Sequence, residues 1–263
     1  MAKHGSKACD SCPVAAVSKL ERLGMRLGQT DYVVALAGNP NTGKSTIFNA
    51  LTGLRQHTGN WPGKTISRAE GAFSLNGKRY RIVDLPGTYS LLSATDDEEV
   101  ARDFILFGRP DVTLVVMDAT RIERNLNLVL QVLQITPRVI VCVNLIDEAE
   151  AHGITVDERG LARDLGVPVV LTAARSGVGV ERLVKEIGDM ASGQTPCKPH
   201  RLKYEVPGLR EAMEEITTAL EAAYPNVPHR DWIAMRLLEG DPRIVEAVAS
   251  GAIGNLDPDH AAT

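Results

Sequence analysis

An eight-residue segment with the spacing G-x-x-x-x-G-K-[ST] constrains this chain more than any other feature of its sequence. It runs from Gly38 to Ser45, directly after the apolar run YVVALAG and at the start of a helical pattern. Glycines let the backbone wrap closely around phosphate oxygens, and a helix N-terminus supplies oriented amides for an anion. The segment therefore predicts a phosphate-binding loop between a strand and a helix.

This loop supplies the first group of predicted nucleotide-binding residues. The Lys44 ammonium is expected to neutralise the outer phosphates, and the Ser45 hydroxyl is a predicted ligand of Mg²⁺. Thr46 is expected next to the inner phosphate. The predicted contacts come from Gly38, Asn39, Asn41, Thr42, Gly43, Lys44, Ser45 and Thr46.

Short apolar runs alternate with longer helical patterns over most of the chain. The runs are rich in valine and isoleucine and continuous enough to be buried on both faces: YVVALAG, YRIVDLPG, VTLVVMDA, RVIVCVNL and VPVVLTAA. Helical patterns separate them, at Ser45 to Leu54, Asp96 to Phe107, Asn125 to Gln134, Thr155 to Leu165 and Gly179 to Met190. The alternation predicts an α/β domain with a doubly wound, mostly parallel sheet, the Ras-like P-loop NTPase fold.

Changes in composition predict the domain boundaries. We expect an N-terminal extension at 1–29, the α/β domain at 30–193, a linker at 194–207 and a small all-helical domain at 208–255. The extension carries one C-x-x-C pair, Cys9 and Cys12. Because a tetrahedral zinc site needs a second pair, this motif stays open between an isolated functional site, a mobile tail and a site completed by another chain.

Overall charge and cysteine content bear on the expected binding partners and on the cellular compartment. A net charge of -4 and a pI near 5.9 give no overall attraction to nucleic acid or anionic lipid. The four cysteines, with no secretory leader, indicate a reducing compartment, so the cytoplasm is the predicted location. No apolar run reaches the roughly 20 residues that a membrane-spanning helix needs.

A carboxylate and a glycine follow the second apolar run, about forty residues after the phosphate loop. Asp84 is predicted to hold Mg²⁺ through a water, and the Gly87 amide to approach the terminal phosphate without a side chain in the way. Between the two motifs, Thr65 is the threonine expected to complete the magnesium shell. Thr58 competes with it for this role.

Two later segments predict recognition of the base. Asn144-Leu145-Ile146-Asp147 follows a strand, and its carboxylate can accept a pair of hydrogen bonds that guanine offers and adenine does not. In isolation this pattern is more often a helix cap, but its order and spacing relative to the other motifs favour base reading. Thr172, Ala173 and Ala174 follow the last strand, where the Ala174 amide is predicted to face the base oxygen.

Five segments of the chain match one known family. They are GNPNTGKSTIFNALTG, GNWPGKT, DLPGTYSL, NLID and YPNVPHRDWIAMRLLEGDP, within roughly Tyr32 to Arg243. Through them the sequence resembles the cytoplasmic N-terminal region of FeoB-type ferrous iron transporters. The last segment is the most specific, since it lies outside the GTPase motifs. The resemblance implies a GTPase domain and a small helical domain that slows nucleotide release, followed in the family by a membrane permease.

The resemblance also implies a cation-assisted mechanism. Asn41 and the carbonyls of Gly59 and Trp61 would hold K⁺ against the nucleotide, supplying the charge that an arginine finger gives other GTPases. With Thr88 where many Ras-like proteins have glutamine, slow hydrolysis is expected. The catalytic residues implied are Asn41, Lys44, Thr65 and Gly87.

Three residues depart from the family pattern. Ala173 stands where a serine is usual, which removes a hydroxyl that would brace the base loop and bears on nucleotide affinity or release. Thr42 and Ser45 replace the commoner serine and threonine, but both keep a hydroxyl group.

The sequence thus predicts a magnesium-dependent GTPase that binds GTP and GDP, and the resemblance implies that it regulates ferrous iron passage through a fused or separate permease. The expected place is the cytoplasmic side of the bacterial inner membrane, with homo-oligomerisation left open and no nucleic-acid partner. Two rival hypotheses are a ribosome-assembly GTPase, whose C-terminal part should be basic, and a signalling module with incidental hydrolysis. From Gly208 to His260, however, acidic residues outnumber lysine and arginine.

Overall fold

The computed structural model describes residues 30–53, 56–92, 95–200, 207–225, 227 and 229–256. Backbone contacts divide these residues into two compact units, the first ending at residue 203 and the second beginning at 204. The larger unit is an α/β domain and the smaller unit is helical. The extension with Cys9 and Cys12 lies outside the described residues.

Seven strands form one sheet in the larger unit. They are β1 Tyr32–Gly38, β2 Gln56–Asn60, β3 Ser67–Leu75, β4 Lys78–Asp84, β5 Val112–Asp118, β6 Val139–Asn144 and β7 Val169–Leu171. Their order across the sheet is β2-β3-β4-β1-β5-β6-β7. The five strands from β4 to β7 in this order are parallel, and the β2–β3 and β3–β4 pairs are antiparallel. The predicted doubly wound, mostly parallel sheet is confirmed.

The strand order places a binding crevice at the carboxyl end of β1. Successive strands lie to one side of β1 as far as β4, and the chain then crosses to β5 on the other side. Ligands of open α/β sheets bind where the order reverses in this way, outside the carboxyl ends of the strands. The phosphate loop leaves β1 at this point, and the Asp84 motif leaves β4 beside it.

Six helices belong to the larger unit: α1 Lys44–Thr52, α2 Asp96–Gly108, α3 Ile122–Ile135, α4 Ile146–Ala151, α5 Glu158–Leu165 and α6 Val180–Ala191. Helices α1 and α6 pack together over one face, in a core that includes Ile47, Leu183 and Ile187. Helices α2 and α3 contact β1, β5 and β6. Because the central strands are covered on both faces, the apolar runs are continuous rather than alternating.

Strands β2 and β3 form a hairpin that the sequence pattern does not reveal. Thr58 pairs with Ala69, and Asn60 with Ser67. The segment is polar and glycine-rich, as a loop would be, because β2 is an edge strand that needs little apolar surface. The consequence is that the stretch between the phosphate loop and Asp84 has a defined shape.

The smaller unit contains α7 Leu209–Ala223, α8 Arg230–Leu238 and α9 Pro242–Ala249, then a short 3₁₀ helix at Ala252–Leu256. Trp232 and Ile233 are buried in it, and the Tyr224 hydroxyl donates to the Val248 carbonyl at 3.0 Å. Asp241 caps α9 by accepting from Arg243 N at 3.0 Å. Across the described part of the chain, every helix is either too short or too polar to cross a membrane.

Candidate nucleotide-binding site

The phosphate loop takes a backbone path that its glycines permit. Gly43 has a φ of 78°, and a Cβ placed there would lie 2.3 Å from the Asn144 Nδ2 atom. At Gly38 a Cβ would lie 2.7 Å from the Val116 carbonyl oxygen. Both positions therefore exclude a side chain. Asn41 also adopts the left-handed region, with a φ of 65°, and its side chain is exposed to solvent.

Two polar side chains of the loop are buried. The Thr42 hydroxyl donates to the Asn39 carbonyl at 2.9 Å, which closes the loop on itself. The Asn39 side chain is 2% exposed, and its amide atoms have no hydrogen-bond partner among the described residues. Ser45 and Thr46, at the start of α1, are exposed to solvent. The loop thus presents Asn41, Ser45 and Thr46 outward.

Lys44 and Asp84 meet at the crevice. The Lys44 ammonium donates to the Asp84 carboxylate and to the Leu85 carbonyl. Burial raises the pKa of the Asp84 carboxyl, and the Lys44 ammonium opposes that rise by attraction and hydrogen bonding. The two predicted phosphate and magnesium residues are therefore in direct contact, although they are 40 positions apart in the chain.

The glycine of the Asp84 motif lies against the phosphate loop. A Cβ at Gly87 would lie 3.5 Å from Pro40. The next residue, Thr88, is buried and donates its amide to the Gly38 carbonyl at 3.3 Å. Movement of Gly87 and Thr88 would therefore displace the phosphate loop.

A cavity of about 310 Å³ opens beside Lys44 and Asp84. Its lining includes Gly87, Thr58 of β2 and Asp97 in the first turn of α2. Thr65 is outside this lining and lies exposed in the turn of the β2–β3 hairpin. Of the two candidate threonines, Thr58 is the one that the structure brings to the cavity, and the magnesium role of Thr65 stays a prediction.

The turn of the hairpin is fixed to helix α2. The Trp61 ring is buried and packs edge-on against Phe104, with ring centroids 5.5 Å apart. The Lys64 ammonium pairs with Asp96 at 2.5 Å and with Glu99 at 3.3 Å. These contacts join the segment after the phosphate loop to the helix after the Asp84 motif.

Trp61 also contacts Arg68, which belongs to a charged cluster with Glu70 and Arg81. The Arg68 guanidinium lies 5.4 Å from the centroid of the Trp61 ring. Glu70 holds Arg68 at 2.9 Å and Arg81 at 2.8 Å, and all three side chains are mostly buried. A cation stacked on an aromatic face stabilises the ring further. The position of the Trp61 backbone is thus set by its side chain.

Asn144 joins three loops at the carboxyl edge of the sheet. Its Nδ2 donates to the Thr42 carbonyl at 3.1 Å, while its Oδ1 accepts from the Thr172 hydroxyl and from the Ala174 amide, each at 3.1 Å. The helix that follows, α4, has no side-chain cap. The helix-cap interpretation of this motif is therefore wrong for Asn144. Its side chain braces the phosphate loop against two segments, 144–147 and 172–174, which we call the base loops.

The carboxylate predicted to read the base is exposed. Asp147 lies in the first turn of α4 and is solvent-exposed, as a residue that accepts hydrogen bonds from a ligand must be. The Ala174 amide, predicted to face the base, is engaged by Asn144. At Ala173, the carbonyl accepts from the Ser176 hydroxyl at 3.0 Å, so a nearby serine braces the loop that lacks one at 173.

Several contributors carry no local sequence signal. The charges of Lys64 and Glu99 are complementary, but they are 35 positions apart and the acidic run is explained equally well as a helix start. Arg68 is on a strand that no apolar pattern marks. Among the described residues, no group of three His, Cys, Asp or Glu side chains could hold a metal ion.

The chain matches one protein family over most of the α/β unit. The model of that family, described as ferrous iron transport protein B, matches residues 32–187. The Fe(2+) transporter FeoB of Salmonella typhimurium is 40% identical over 228 residues, which are 85% of this chain and 29% of that transporter. FeoB of Escherichia coli K12 is 39% identical over 212 residues, 79% of this chain and 27% of the transporter. The chain spans less than a third of these relatives.

Solved structures give the same result. The cytosolic domain of T. maritima FeoB in its GMPPNP form is 36% identical with a TM-score of 0.76, covering 83% of this chain and 85% of that one. The cytosolic domain of L. pneumophila FeoB is 31% identical with a TM-score of 0.74, covering 88% and 89%. The resemblance in the sequence motifs is confirmed, and this chain belongs to the ferrous iron transport protein B family.

Proposed function

We propose that this chain binds GTP and hydrolyses it slowly in the presence of Mg²⁺, with K⁺ as an activating ion. The observation that carries the proposal is the convergence of three predicted elements at the strand-order reversal. Lys44 contacts Asp84, and Asn144 ties the phosphate loop to both base loops. The T. maritima relative was solved in a GMPPNP form and in GDP forms, which supports a guanine nucleotide as ligand.

The residues at the crevice fit a magnesium ion. Mg²⁺ prefers oxygen ligands and keeps several waters, so one hydroxyl and one carboxylate are enough protein ligands beside a nucleotide. Ser45 and Asp84 supply that donor set, and Thr65 or Thr58 would complete it. An ion held by these residues would supply positive charge that offsets the negative charge developing on the phosphates.

The donors proposed for K⁺ are neutral oxygens of the phosphate loop and of the β2–β3 hairpin. Asn41 is exposed, and Gly59 is in the hairpin strand next to the turn that starts at Trp61. The Trp61 carbonyl accepts from the Lys64 amide at 3.1 Å, and a carbonyl oxygen has a second lone pair available. Neutral oxygens of this kind suit a weakly held monovalent cation, which would supply positive charge to the terminal phosphates.

The protein's own groups account for the remaining steps. Lys44 must release Asp84 to reach the outer phosphates, after which Asp84 is available to the metal. The Gly87 amide lies where no side chain blocks approach to the terminal phosphate. Asp147 is proposed to accept two hydrogen bonds from guanine, whereas adenine lacks that pair of donors and would leave the carboxylate unpaired beneath the bound base. Thr88 offers no carboxamide to orient the water, which is consistent with slow turnover.

The hydrolytic cycle is proposed to regulate ferrous iron passage through a membrane permease. This proposal draws on the Fe(2+) transporters to which the chain is similar, of which it matches less than a third. The domain would then act on the cytoplasmic side of the bacterial inner membrane, as an attached or separate subunit. We also propose that the domain can form homo-oligomers.

Hydrolysis in matched cation buffers tests the proposed mechanism. Steady-state phosphate release from GTP is expected to be slow and at least about fivefold faster in potassium than in sodium, because only one of the two ions fits the neutral oxygens well. Asn41→Ala is expected to remove that difference. Asn49→Ala, on the same helix-loop unit but away from the proposed ligands, is the matched control and should keep it.

Equal rates in the two buffers would remove the potassium mechanism while leaving GTP hydrolysis intact. A potassium effect that survives in Asn41→Ala would move the ion to other ligands. No GTP hydrolysis in either buffer would overturn the proposed activity itself.

A further inference from the structure

A buried chain of hydrogen bonds extends from the base loops into the core. The Thr172 hydroxyl, which donates to Asn144, also lies 3.2 Å from the Cys142 sulfur. Cys142 and Thr172 are fully buried, and Asn144 and Thr42 are each 1% exposed. Hydrogen bonds in such a water-free environment are stronger than at the surface, and an unpaired member is costly.

The donor and the acceptor of each hydrogen bond in this series can be assigned. The Ala174 amide can only donate, so the Asn144 atom that it contacts at 3.1 Å must be the oxygen. The other amide atom is then the nitrogen, which donates to the Thr42 carbonyl. Asn144 Oδ1 cannot donate, so the single proton of the Thr172 hydroxyl must go to it.

Cys142 is therefore left as the donor to Thr172. Burial raises the pKa of Cys142 to about 12, so the thiol keeps its proton at neutral pH and remains available to donate. The thiol proton fixes the rotation of the Thr172 hydroxyl toward Asn144 rather than toward the core. An apolar residue at 142 would leave the Thr172 oxygen without this donor in the buried core and so weaken its hold on the Asn144 side chain.

We infer that Cys142 is a positioning residue for guanine recognition, acting through Thr172 and Asn144 on the base loops. The inference rests on the proposed function and extends it to a residue with no contact to the base. Cys142 acts on this loop through Thr172, whose hydroxyl lies 3.2 Å from the thiol sulfur. Asp147 is positioned by this loop as well, because the Ile146 amide donates to the Thr172 carbonyl at 3.2 Å.

The test uses two nucleotides that differ in one of the two donors that Asp147 is proposed to read. IDP lacks the 2-amino group of GDP, so the ratio of their dissociation constants measures that contact. Cys142→Ala is expected to lower the preference for GDP over IDP about 3- to 10-fold, as the loss of one buried hydrogen bond implies. Cys142→Ser, which shortens the side chain but keeps a donor, is expected to retain the preference within about twofold.

Thermal unfolding of each variant separates this role from packing, since alanine and serine both reduce volume at a core position. Cys142→Val fills the site without a donor and should behave like alanine in selectivity, which keeps the inference testable if alanine unfolds. An unchanged GDP to IDP ratio in Ala and Val, or an equal loss in Ala and Ser, overturns the role of Cys142. Absence of GDP binding by the unmodified chain would instead overturn the proposed function, and this inference with it.

Discussion

Replacing Lys44 by alanine is expected to lower the rate of GTP hydrolysis at least about 100-fold, the cost of removing one preorganised charged donor from developing phosphate charge. Lys44 lies at the crevice against Asp84 and the Leu85 carbonyl, from which its ammonium would turn to the phosphates. Single-turnover phosphate release measures the effect. Since Asp84 would lose its partner, the unfolding temperature of the variant must be measured as well.

Lys78→Ala is the matched control for this experiment. Lys78 pairs with Asp31 at 3.0 Å on the exposed surface of the same unit, and no motif of the site includes it. Its rate should equal that of the unmodified chain. A folded Lys44→Ala variant that keeps more than about a third of the rate would contradict the assignment of the phosphate loop.

Replacing Asp147 by asparagine is expected to weaken GDP binding roughly 100-fold or more, because two hydrogen bonds to a charged acceptor are lost. The same variant should gain affinity for XDP. Xanthine has an oxygen where guanine has its 2-amino group, and the asparagine amide can donate to that oxygen. Calorimetric titration with both nucleotides measures the exchange of preference.

Glu148→Gln provides the comparison, since it neutralises the neighbouring exposed carboxylate in the same turn of α4. It should leave both affinities unchanged. If Asp147→Asn binds GDP as well as the unmodified chain does, the base is read elsewhere.

The central part of the fold was predictable because its strands are buried on both faces. The five continuous apolar runs correspond to β1, β4, β5, β6 and β7. Order along the chain then places Gly38, Asp84 and Asn144 at the same edge, since parallel strands share a carboxyl end. That reasoning gives the position of the site but not the partners of its side chains.

The remaining features depend on contacts between distant segments. Strands β2 and β3 were missed because an edge hairpin can be polar and still pair through its backbone. From the sequence, Cys142 is predicted to be a small core residue. Its role as a hydrogen-bond donor depends on the position of Thr172, which only the structure gives. Asn144 resembles a helix cap or a base ligand in the sequence, whereas its amide braces three loops in the structure.

Calorimetric titration of this chain with GDP and ADP, in magnesium-containing buffer, tests the central claim most directly. The account predicts saturable binding of one GDP per chain and at least about a thousandfold weaker binding of ADP, because adenine lacks the pair of donors that Asp147 is proposed to accept. Equal binding of the two nucleotides would contradict guanine recognition through Asp147. Binding of neither would contradict the nucleotide site itself.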